Sequence, residues 1–172
     1  AGHTMATNGP ILSFTLAGQP PGGELKLPAG EHTLDFSGFM QSLVAIDHLE
    51  VVHNGKVVQT LEKSLEMNTA RNAAEFSGQL KVSASGWVVL RAWNEDSSPD
   101  LFDRFPFATT NPVFVEVGGQ ALRSAGDADY FLRWIARVRE QTVANTAYNT
   151  AAEREAVLSS IDAAATVFEK RK

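Results

Sequence analysis

Two side chains in this sequence could meet a metal ion. His48 and Glu50 are two residues apart in an extended run, so they share one face of a strand. A catalytic zinc site needs three protein ligands and an open position, and nothing nearby supplies the third. The chain has four histidines, His3, His32, His48 and His53, and no cysteine, and it contains no His-x-His, His-Glu-x-x-His or Cys/His cluster. The reading is therefore no native metal, with His48 and Glu50 on a solvated strand face and His53 flanking a turn. No Gly-x-Ser-x-Gly elbow is present, and Gly55-Lys56 lacks the upstream glycine of a phosphate-binding loop. The acidic start of the stretch 94–112, with Glu95, Asp96 and Asp100, lacks the ligand spacing of a calcium loop and reads as solvated. No catalytic residue and no cofactor is expected in this chain.

Aromatic side chains offer binding chemistry instead. Trp87 and Trp93 lie on one face of a single run, where indoles could stack on sugar rings, although a central strand more commonly holds tryptophan in its core. Phe102, Phe105 and Phe107 either form a contact surface or plug the end of the fold. Tyr130, Phe131 and Trp134 read as helix packing, on an arc wide enough to touch two surfaces.

The elements that must position these residues are mostly strands. Leu12, Phe14 and Leu16 alternate with polar residues, as do Leu34 and Phe36, and Phe76, Gly78, Leu80, Val82 and Ala84. Asn54-Gly55 between two β-rich runs is the strongest short hairpin signal, because a type I′ turn needs positive φ at both positions. The run 87–93 is apolar on both faces until Arg91 and reads as a central strand. After residue 123 the apolar period changes from two to that of a helix. Ser124-x-x-Asp127 and Thr150-x-x-Glu153 mark two helix starts. The expected architecture is mainly β: an antiparallel Ig-like β-sandwich over residues 1–123, with a C-terminal two-helix hairpin, 124–172, packed on the same domain.

At 172 residues the chain is long enough for one well-buried core. Its 15 Lys and Arg against 20 Asp and Glu give a net charge of −5. That balance argues against nucleic-acid binding, which needs clustered cations. No apolar run reaches the length of a membrane span, so no membrane insertion is expected. Residues 1–6 have neither the basic nor the apolar part of a signal peptide.

Several segments together resemble a known family. They are 1–12 (Ala-Gly-His-Thr-Met-Ala-Thr-Asn-Gly-Pro-Ile-Leu), 46–55 (Ile-Asp-His-Leu-Glu-Val-Val-His-Asn-Gly) and 86–92 (Gly-Trp-Val-Val-Leu-Arg-Ala). The others are 109–115 (Thr-Thr-Asn-Pro-Val-Phe-Val) and the stretch from Arg123-Ser124 to Trp134-Ile135. In order and spacing they are similar to the C-terminal portion of the CehA/McbA-type metallohydrolases of the PHP superfamily. The resemblance implies a preceding catalytic domain that holds the metal ligands, none of which can be carried onto this sequence. His3 stands where such proteins commonly have Arg or Lys. The chain would then be a non-catalytic accessory domain whose partner is that catalytic domain. Asn8, Arg91, Thr110 and Asn111, polar residues at strand ends, are the candidates for the domain interface, unless they bond their own turns. The alternative is a free-standing carbohydrate- or protein-binding β-sandwich module.

Overall fold

The computed structural model describes residues 2–61, 66–68 and 73–172. It is mainly β, with two helices at the C-terminal end, and divides into a β unit, 1–121, and a helical unit, 122–172. The strands in chain order are β1 (Met5–Thr7), β2 (Ile11–Leu16), β3 (Glu24–Leu27), β4 (His32–Gln41), β5 (His48–His53) and β6 (Lys56–Thr60). They continue with β7 (Glu66–Asn68), β8 (Ala73–Val82), β9 (Gly86–Trp93), β10 (Phe107–Thr110) and β11 (Val113–Val117).

Two sheets result. In the four-stranded sheet the order is β2-β4-β8-β7. In the seven-stranded sheet β9 is central: β10 and β11 follow each other along one of its edges, flanked by β1 and β3, and β5 with β6 lies on the other. Both sheets contribute to one apolar core, with Phe14, Phe36, Phe76 and Leu80 from the smaller and Val51, Val88, Leu90 and Val113 from the larger. The alternation read from the sequence sets these faces. Along β8, Ala74, Phe76, Leu80 and Val82 are buried while Glu75, Ser77, Gln79 and Lys81 are exposed. Glycines make room for the large core rings. Phe36 pairs across strands with Gly78, and Gly38 with Phe76, so each ring lies over the space a side chain would fill. A Cβ on Gly38 would stand 2.0 Å from the Ser13 carbonyl oxygen.

The pairing is not antiparallel throughout. β3 runs parallel to β11, with Leu25 beside Val115 and Leu27 beside Val117. A tight turn forces antiparallel pairing only on strands it joins directly. β3 and β11 are distant in sequence, and β3 simply occupies the free edge of β11. The Asn54-Gly55 turn forms as expected, with φ of 49° and 78°.

The helical unit is an antiparallel pair, α1 (Ala125–Ala144) and α2 (Ala151–Glu169). Both starts are capped as the sequence indicates: Ser124 Oγ accepts from the Asp127 N–H, and Thr150 Oγ1 from the Glu153 N–H. Glu153 also accepts from the Asn149 N–H, one residue before the cap. The two helices are joined by a Phe131–Phe168 stack at 4.9 Å and by ion pairs, Arg139–Asp162 at 2.7 Å and Lys172–Asp129 at 2.6 Å. No described helix is long and apolar enough to cross a membrane.

Candidate functional site

A polar cluster lies on the outer face of the seven-stranded sheet. Its origin is the register of β5 against β9, which sets His48 opposite Trp93 and Glu50 opposite Arg91. Along β9, Val88, Leu90 and Ala92 are fully buried, so Trp87, Val89, Arg91 and Trp93 turn outward and are half-buried. The tryptophans are therefore not core residues. A strand apolar on both faces does not say which face is inward. The core side took the smaller side chains because the facing sheet already supplies the phenylalanines.

Glu50 organises the cluster. Its Oε2 accepts from Arg91 Nε at 3.0 Å, Arg91 Nη2 at 2.6 Å and Trp93 Nε1 at 3.1 Å. These partners leave the residue only 7% exposed, so it is not on a solvated face. Burial by itself would raise the Glu50 pKa. The hydrogen bonds from Arg91 and Trp93, with the charges of Arg91 and His48, outweigh it and hold the carboxyl below its ordinary value. Glu50 is thus ionised at neutral pH and acts as an acceptor, not as a general acid. The His48 ring stacks on Trp93, with centroids 4.1 Å apart and planes 20° from parallel. Its Nε2 lies 3.3 Å from Glu95 Oε1. Arg91 Cζ is 6.0 Å from the Trp93 ring centre. Asn94 anchors the strand end, accepting from the Asp47 N–H and donating to the Ala45 carbonyl, both at 2.8 Å.

Aromatic residues extend this face. Phe107 pairs with Trp93 across β10 and β9, and Phe114 with Trp87 across β11 and β9. Both phenylalanines are exposed, as are Phe102 and Phe105, whereas Leu101, Pro106, Ala108 and Thr110 are the buried members of the stretch 94–112, whose residues 107–110 form β10. Phe102, Phe105 and Phe107 are surface, not plug.

The sequence candidates separate. Arg91 belongs to the cluster. Asn8 instead brackets the loop end, donating to the Phe105 carbonyl at 2.7 Å and accepting from the Phe107 N–H at 2.8 Å. Thr110 is buried and its Oγ1 accepts from the Leu90 N–H at 3.1 Å. Asn111 donates to the Gly2 carbonyl at 2.8 Å. These three bind backbone and brace β1, β9 and β10. Trp93 as a hydrogen-bond partner, and Glu95 as the partner of His48, are members that sequence reasoning missed. Their residue types were visible, but their register was not.

His53 ends β5 beside Gly86. Its Nε2 is the one buried side-chain nitrogen or oxygen without a hydrogen bond among the described residues. Burial lowers the His53 pKa, which keeps the ring neutral. Among the described residues no group of three or more His, Cys, Asp or Glu side chains is arranged to hold a metal ion. The outer face offers an ion pair, indole rings and exposed phenylalanines. Neither a known protein-family model nor a curated protein matches this chain.

Proposed function

We propose that this chain is a non-catalytic accessory domain of a PHP-type metal-dependent hydrolase. In this reading it is an Ig-like β-sandwich whose larger sheet docks on the catalytic domain of the same protein. One observation carries it. Four of the segments that resemble the family, spread over more than a hundred residues, lie side by side in one sheet as β1, β10, β11, β9 and β5. Their shared outer face carries the Glu50–Arg91 pair, which gives the contact a fixed orientation, and flanking aromatic rings, which give it apolar area. Arg91 keeps 36% of its side chain exposed and is the candidate for direct contact.

The test is the coding frame upstream of Ala1. A frame that continues into a domain beginning with His-x-His and carrying further spaced His and Asp residues supports the proposal. A frame that opens at Met5 overturns it.

A second reading is favoured by the partly exposed Trp87: a free-standing carbohydrate- or protein-binding module. For sugar, Trp93 is a poor platform, because His48 covers one side of its ring and Glu50 holds its N–H. Trp87 would carry the stacking. A titration of tryptophan emission against a polysaccharide panel would change and saturate under this reading. A flat response across the panel removes the sugar form.

A further inference from the structure

We propose that the helical hairpin is a self-association surface, and that its occupant is the hairpin of a second copy of this chain, forming a four-helix bundle. The pair of helices has almost no interior of its own: Ala128 is the one buried residue of α1, and α2 has none. Its apolar side chains gather on one broad face. Phe131, Trp134, Val138, Ile161, Ala164 and Phe168 line a trough there that contains no charged residue. Tyr130 and Trp134 on α1 are 53% and 56% exposed, and Val167 on α2 is 49% exposed.

Two features select a second copy as the cover. The first is size. Helices of 20 and 19 residues present a face of roughly 30 Å by 20 Å, on the order of 600 Å² in projection. Accessible area exceeds projected area, so the face is close to the roughly 800 Å² per partner of a standard stable interface. The second is shape. On α1 the outward stripe is bulky, with Tyr130, Trp134 and Val138. On α2 the stripe at i, i+4, i+7 and i+11 is small: Ala156, Ser160, Ala163 and Val167. A two-fold axis parallel to the helices sets each α1 against the partner's α2, antiparallel, with ridge on groove in both halves. The ion-paired residues Arg139, Asp162, Lys172 and Asp129 do not line the trough, whereas Arg133 and Arg137 border the stripe of Tyr130, Trp134 and Val138. The Phe131–Phe168 and Arg139–Asp162 contacts fix the level of one helix against the other and place Trp134 level with Val167.

The experiment uses the full chain, which has no cysteine to interfere. Sedimentation equilibrium at micromolar concentrations is expected to give twice the chain mass of 18.6 kDa. Trp134→Glu and, separately, Ala163→Glu are expected to weaken dimerisation at least tenfold. Because a charge on the helix can also unfold it, coexpressed Trp134→Cys and Val167→Cys chains provide a gentler readout. They should form a disulfide-linked heterodimer on mild oxidation, in higher yield than a Trp134→Cys and Glu155→Cys pair. A monomer at all concentrations overturns the proposal. So does a dimer that both glutamate variants leave intact, or a cysteine pair that fails to cross-link selectively.

Discussion

Replacing Glu50 by Ala tests whether the outer-face cluster is an organised unit. The substitution removes one acceptor atom and leaves three donors, Arg91 Nε, Arg91 Nη2 and Trp93 Nε1, without it. Hydrogen bonds to a charged group contribute about 1.5–3 kcal/mol each, and breaking a fully buried ion pair costs about 3–5 kcal/mol. Neither figure applies whole. The Arg91 side chain is 36% exposed and can turn to water, which reduces the loss. Trp93 is held under His48 and cannot. The expected cost is about 2–3 kcal/mol, most of it from the stranded indole N–H and the partly buried guanidinium. Glu50→Gln keeps a neutral acceptor for Trp93 and should lose about half as much. The assay is urea unfolding followed by tryptophan emission in a Trp134→Phe background, so that Trp87 and Trp93 report the β unit. The pH dependence has a definite sign. The folded-state pKa of Glu50 is lowered, so its contribution is whole above the ordinary value of 4.5 and is lost as pH falls through the folded-state value. The gap between wild type and Glu50→Ala should therefore hold at neutral pH and close below about 4.5. A loss under about 0.5 kcal/mol at pH 7 would refute the reasoning, because it would mean that Glu50 holds neither partner.

Gly38→Ala forces a Cβ to 2.0 Å from the Ser13 carbonyl oxygen and 2.7 Å from the Phe76 ring. Its cost should reach or exceed the upper end of the overpacking range, about 3 kcal/mol, read as a lowered urea midpoint or loss of soluble protein. His53 has a folded-state pKa below its ordinary 6.5, so the unfolded chain binds the extra proton as pH falls through 6.5. Stability should drop over that window, and His53→Leu should flatten the part of the slope that His53 supplies, measured as urea midpoints at stepped pH. Thr150→Ala removes the cap that accepts from the Glu153 N–H and should cost about 1 kcal/mol, seen as earlier loss of helical circular dichroism on heating.

Alternation and turn chemistry made much of the fold legible. The Asn54-Gly55 hairpin, the one-sided β8 and both helix caps follow from residues within a few positions of one another, and local backbone and side-chain preferences suffice to specify them. The phenylalanines of the 94–112 loop were harder. Nothing local distinguishes Phe105, which is exposed, from its neighbour Pro106, which is buried.

By itself, then, the sequence determined where strands give way to helices, which side chains share a strand face, and that His48 and Glu50 project together. Only the tertiary structure decided which strand lies beside which. It chose the inward face of β9, set β3 parallel to β11, and brought Arg91 and Trp93 onto Glu50. The physical reason is the range of the interactions. A period of two specifies the face of a residue relative to its own strand. Register between β5 and β9, some forty residues apart, depends on how two whole sheets fill one core.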